Sequence, residues 1–154
     1  VLFKRLREDH GVAYEVGVHH PVREGPAPFV IHASTSEEKA LTTLKLLIES
    51  WSELAEKQLT TDAISLARAK FRGQLARGSQ TASQRAERRA QLHINGLPDN
   101  YDLFSLEEIE SINGKDLQAL AIQNLKKPLL SLCGPKDCIE KLADYWSSQR
   151  NRKT

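Results

Sequence analysis

Two side chains near the start of the chain carry its clearest chemistry. Arg7 and Tyr14 lie seven positions apart in Leu6-Arg7-Glu8-Asp9-His10-Gly11-Val12-Ala13-Tyr14-Glu15-Val16. A guanidinium offers several donors in a rigid fork and suits a peptide carbonyl or carboxylate. A phenol O–H aimed at a carbonyl under attack stabilises the oxyanion as its charge develops. Both residues also have plain structural uses. Arginine near a helix C-terminus complements the dipole there, and a tyrosine alternating with Val12, Val16 and Val18 fits a packed strand face. On spacing alone the structural uses are the stronger reading, because a short motif matches by chance easily.

Other chemistries find little support. The five histidines are His10, His19, His20, His32 and His93, and none stands in a His-x-x-Glu-His arrangement. His19 and His20 are adjacent on an expected strand, so they point to opposite faces and do not share a metal. Cys133 and Cys138 are too few for a zinc cage and too close for a disulfide framework; they read as plain thiols. There is no Gly-x-Ser-x-Gly elbow, no Gly-x-Gly-x-x-Gly and no phosphate loop. Alone, the chain is not expected to be a complete enzyme.

The elements that must position Arg7 and Tyr14 follow from pattern. Residues 1–9 read as the tail of a helix with Leu2, Phe3 and Leu6 on one side, stopped by Gly11. Val12 to His20 alternates as a strand, residues 21–28 form a Pro- and Gly-rich loop, and Phe29 to Ala33 makes a second strand, antiparallel to the first. Thr35 and Glu38 fit a capping box ahead of a helix whose stripe is Leu41, Leu44, Ile48, Trp51 and Leu54 or Ala55.

Further on, a helix starts at Thr60 to Asp62 with Ile64, Ala67, Phe71 and Leu75 on one face. It bends near Gly78-Ser79 and resumes from Thr81 to Ile94, ending at Asn95-Gly96. Ser105 with Glu108 is expected to cap a short helix, and Asn113 another through Leu125. Leu129 to Cys133 reads as a strand. After Gly134-Pro135 comes an amphipathic helix with Ile139, Leu142, Tyr145 and Trp146, and a polar tail from Ser147 expected to fray. This order implies an α+β fold, an antiparallel or mixed sheet with helices packed on one face.

Composition agrees with a folded domain. Hydrophobic residues make up 40% and charged residues 27% of 154 positions, ordinary globular values. That length suits one domain, 1–154, able to bury roughly 70% of the surface its unfolded form exposes. The first residue is Val1 and there is no Met, so the chain is expected to be a piece of a longer protein. No apolar run approaches the ~20 residues of a membrane span.

The opening stretch resembles a motif in the carboxy-terminal half of the pitrilysin/insulinase-type zinc metallopeptidases, which include the mitochondrial processing peptidases and their bacterial relatives. Their pattern is Leu-Arg-x-x-x-Gly-Leu-Ala-Tyr or close variants, and Leu6, Arg7, Gly11, Ala13 and Tyr14 match it. Ala67-Arg68-Ala69-Lys70, Gln74-Leu75 and the strand ending at Gly134 are similar to later parts of that domain, so the likeness runs along nearly the whole chain, with the first strands of the half-domain missing. The resemblance implies a non-zinc domain that works with a zinc-bearing catalytic domain or subunit. Tyr14 would be the oxyanion donor, Arg7 would clamp the peptide substrate, and no metal or other cofactor would be held by this chain. It also favours a bacterial periplasmic or cell-envelope setting, and leaves an oligomer open.

Two other readings remain. The chain could be a catalytically inactive structural subunit of the kind found in respiratory complexes, against which the retention of both Arg7 and Tyr14 leans. Or the basic run Arg68, Lys70, Arg72, Arg77, Arg85, Arg88 and Arg89 could bind nucleic acid. That is the weakest of the three. The run spreads over more than one helical face, lacks an aromatic platform beyond Phe71, and sits in a chain of net charge only +2.

Overall fold

Gly11 adopts a φ of 58°, a left-handed conformation that costs glycine nothing sterically, and it ends the first helix. The computed structural model describes residues 2–21, 23–125 and 127–151. Expectations for Val1, Val22, the Ala55 side chain and the tail from Arg152 lie outside them. The fold is α+β. Lys4–Asp9 is wound as a π-helix. Strands β1 (Glu15–His19) and β2 (Val30–Ser34) form an antiparallel hairpin in which Gly17 faces His32. Among the described residues six α-helices follow: α1 Ala40–Glu56, α2 Thr61–Arg77, α3 Ala82–Ile94, α4 Tyr101–Ser111, α5 Gly114–Asn124 and α6 Lys136–Asn151.

The chain divides into two compact units. The first comprises Val1–His19, Val30–Ala55 and Asn124–Thr154; the second comprises His20–Phe29 and Glu56–Gln123. In the first unit, α1 turns two sides to apolar neighbours. Leu46 is buried with Leu6, Val12 and Ala13, with Leu2, Val16, Ala33 and Leu47 packed around them. Ala40 and Leu44 are buried with Leu142 of α6, beside Ile48, Leu130, Leu132, Cys138 and Tyr145. The expected stripe is therefore shifted: Leu44, Ile48 and Trp51 turn inward but Leu41 is exposed, because Ala40 and Thr43 occupy the facing positions. The Trp51 indole N–H donates to the Leu125 carbonyl at 2.8 Å.

Several boundaries differ from the sequence expectation for identifiable reasons. β1 begins only at Glu15, because Val12 and Ala13 are consecutive and both buried, which an alternating strand does not allow. Phe3 is 46% exposed rather than inward, while Leu6 is fully buried. Ser36, not Thr35, precedes the helix, which enters through a 3₁₀ turn at Glu37–Lys39 without a side-chain cap. Residues 129–133 keep a strand's alternation, with Leu130 and Leu132 turned to the core and Leu129 exposed, but no described strand pairs with them, so no ladder forms. α4 starts at Tyr101, four residues before the expected cap at Ser105. Through Ser147, α6 continues to Asn151 instead of fraying.

In the second unit the caps of α2, α3 and α5 follow the sequence. The Thr60 hydroxyl accepts from the Ala63 N–H, and Thr81 and Gln84 form a reciprocal capping box. Asn113 Oδ1 accepts from the N–H groups of Lys115 and Asp116, and Asp116 accepts in return from the Asn113 N–H. Gly114, the first residue of α5, is buried, and a Cβ there would stand 2.7 Å from the Leu59 carbonyl oxygen. Replacing it sets a gain in helix propensity of up to ~1 kcal/mol against an overpacking cost of about 1–3 kcal/mol. The expected outcome for Gly114→Ala is a net loss of stability in urea unfolding. Gly17→Ala should be better tolerated, since its Cβ would meet only the His32 ring, which can rotate away.

Candidate functional site

The segment from Arg7 to Tyr14 is built by a helix end and a held turn. The N–H of Val12 reaches back six residues, one more than the π-helical step, to the Leu6 carbonyl at 2.8 Å, closing the turn through Gly11. Val12 and Ala13 bury their side chains, and the Tyr14 N–H then donates to the Ser34 carbonyl at 2.8 Å, at the mouth of the hairpin. Two consecutive buried residues set the next one outward. Tyr14 is 70% exposed, and its phenol has no hydrogen-bond partner among the described residues. Arg7 lies in the last helical turn, also exposed, with its guanidinium 5.3 Å from the centre of the Phe3 ring. The tyrosine is thus not a core residue of the valine face, and that face is itself only partly buried: Val16 is half-buried and Val18 is 55% exposed.

The carbonyls of this turn are gripped by side chains that arrive from beyond β2. Lys39 Nζ donates to the Gly11 carbonyl at 2.9 Å. The Thr35 hydroxyl donates to the Val12 carbonyl, and Thr43 Oγ1 lies 3.2 Å from the same carbonyl and 3.1 Å from Thr35 Oγ1. Thr43 is 2% exposed and also sits 2.9 Å from the Lys39 carbonyl in its own helix. Nothing in the sequence marks these three residues, since the contacts span 23 to 31 positions. Thr35, expected to cap the helix with Glu38, gives its hydroxyl to Val12 instead.

Among the described residues no three His, Cys, Asp or Glu side chains come together as metal ligands. Cys133 is exposed and Cys138 half-buried, both as free thiols. Among the described residues no helix is long and apolar enough to cross a membrane.

The basic run is largely spent inside the second unit. Arg68 donates to the carbonyls of Ile109, Glu110 and Ile112, tying α2 to the end of α4. Arg72 pairs with Glu110, and Arg85 donates to the carbonyls of Ser79 and Gln80. Arg88 grips both oxygens of Asp102 at 3.0 and 2.6 Å, a hydrogen bond that raises the arginine pKa further. Arg89 pairs with Asp99. Arg68 and Arg88, half-buried and held this way, are struts between helices.

Against this geometry the comparisons are specific. Residues 1–71 match the family described as the peptidase M16 inactive domain. The chain is also similar to the crystal structure of a peptidase M16 inactive domain from Pseudomonas fluorescens, with 21% identity and a TM-score of 0.65 over 86% of its length. It spans about a third of that solved chain, 34%. No curated protein matches the sequence. These findings bear out the resemblance read from the sequence: over its first 71 residues the chain is similar to the inactive domain of that peptidase family, and over most of its length it has that domain's fold.

Two measurements check this description. Gly11→Ala should cost about 1–2 kcal/mol in chemical denaturation, the penalty for an L-residue in the left-handed region, with Gly11→Asn recovering part of it. No atom lies within 4 Å of a Cβ at Gly11, so the cost is conformational rather than steric. The second test concerns Asp99, whose carboxyl is held below its ordinary range, first by the Arg89 hydrogen bond and then by the arginine's charge. A depressed carboxylate contributes stability above its unfolded pKa and loses it as pH falls through the folded value. Thermal melts of wild type and Asp99→Asn should therefore differ slightly at neutral pH, and the difference should vanish on acidification below the ordinary aspartate range. The effect stays small because the pair is exposed.

Proposed function

We propose that this chain is the substrate-binding, non-zinc domain of a zinc metallopeptidase, part of a longer polypeptide or assembly in which a zinc-bearing catalytic domain or subunit performs peptide hydrolysis. In this reading Tyr14 donates its phenol O–H to the oxyanion formed at the scissile carbonyl, and Arg7 holds a peptide carbonyl or carboxylate beside it. Zinc, held elsewhere in the assembly, would activate the attacking water. This chain's own part is to bind the peptide and to present a fixed donor.

The observation that carries the reading is the exposed, unbonded phenol of Tyr14, which follows a turn whose backbone is fixed by hydrogen bonds on both sides. An outward tyrosine with no internal partner has no packing role to explain it. Arg7 supports the same reading, since its recorded contact is the face of Phe3, a partner it can leave without exposing a buried charge. The engaged arginines of the second unit weigh against nucleic-acid binding.

In the assembled peptidase, Tyr14→Phe should lower kcat by roughly 10²-fold, the size expected for loss of one oxyanion donor, with little change in KM. Arg7→Ala should act mainly on KM. Wild-type turnover in the Tyr14→Phe enzyme would remove the tyrosine from the mechanism.

A further inference from the structure

We propose that Thr43, helped by Thr35 and Lys39, is a positioning residue for Tyr14; this rests on the function proposed above. An exposed side chain with no hydrogen bond of its own takes its aim from its backbone alone. Between Gly11 and Tyr14 that backbone is held at four polar groups. The N–H groups of Val12 and Tyr14 donate to backbone carbonyls of Leu6 and Ser34. The carbonyls of Gly11 and Val12 accept from side chains, Lys39 on one and the threonine pair on the other. The first two bonds belong to the helix end and the hairpin and form in any such fold. The carbonyl bonds depend on three particular side chains.

Thr43 is the buried member, and its chemistry is exacting. Each threonine hydroxyl has one proton, so the two cannot both donate everywhere they touch. The consistent arrangement has Thr35 donating to the Val12 carbonyl, while the Thr43 proton goes to Thr35 Oγ1, to Val12 or back to the Lys39 carbonyl. A hydroxyl that donates while accepting is polarised and donates more strongly. Thr43 is also fixed to a helix packed on both sides, so it transmits the rigidity of α1 to the turn. Lys39 makes the same kind of contact one residue earlier from the exposed side.

The test uses the assembled peptidase carrying Thr43→Val, which keeps the shape and removes the hydroxyl, Thr43→Ser, which restores the hydroxyl, and Lys39→Met, an exposed change that does not threaten folding. Two readouts are taken, steady-state kinetics and amide hydrogen exchange of the peptide covering residues 10–16. For Thr43→Val we expect kcat to fall roughly 10- to 100-fold with KM nearly unchanged, as for a misaligned catalytic group. Exchange in the 10–16 peptide should quicken by about tenfold while α1 stays protected. Thr43→Ser should restore both, and Lys39→Met should produce a smaller change in the same direction. Tyr14→Phe is measured alongside. If Tyr14→Phe lowers kcat but Thr43→Val and Lys39→Met leave both turnover and exchange at wild-type values, the positioning role is overturned while the tyrosine's role stands. If Tyr14→Phe is inert, the proposed function fails, and exchange alone decides: unchanged protection of residues 10–16 overturns the positioning, and faster exchange upholds it. If Thr43→Val does not fold, Lys39→Met decides by the same two readouts.

Discussion

The Val12 carbonyl, accepting from Thr35 and with Thr43 Oγ1 3.2 Å away, is the contact on which the candidate site depends. A buried carbonyl without partners would cost about 1–3 kcal/mol, so the hydroxyls are needed for the turn to sit against the core at all. Once they are present, the turn has one position. Val12 and Ala13 fill the pocket against Leu6 and Leu46, and the next residue must leave it. The outward stance of Tyr14 is a consequence of what its two predecessors bury.

Helix α1 makes this possible because it is shared. One row of its side chains serves the cluster under the hairpin and another the cluster against α6, and Thr43 lies with Leu46 and Leu47 on the first. A helix held on two sides cannot easily rotate, and a hydroxyl on it becomes a fixed point. In the second unit the same purpose is met by charge. Arg68 and Arg88 tie α2, α3 and α4 together through carbonyls and a carboxylate, in a region where Ile64 and Leu92 are the large apolar side chains well buried among the described residues. Two members of the basic run, Arg68 and Arg88, are half-buried ties between helices, while Lys70, Arg72, Arg77, Arg85 and Arg89 stay exposed.

Much of this was legible from residue order alone. Thr60, Thr81, Asn95 and Asn113 punctuate the chain through bonds spanning four residues or fewer, and Gly11 ends the first helix where the sequence puts it. What failed was each case in which a local option lost to a distant one. Thr35 could have capped its helix with Glu38 but found the Val12 carbonyl 23 residues away. Residues 129–133 have a strand's alternation but no described neighbour to complete a ladder.

By itself, then, the sequence determined the α+β order and the helix boundaries marked by caps and glycines, because those depend on conformational preferences that act over one or two turns. The tertiary structure decided whether Tyr14 is core or surface, which side of α1 is buried, and that Arg68 and Arg88 are ties between helices. Burial and long-range hydrogen bonding exist only once segments far apart in the chain have met, and a carbonyl at position 12 acquires its threonines only when α1 lies against the turn.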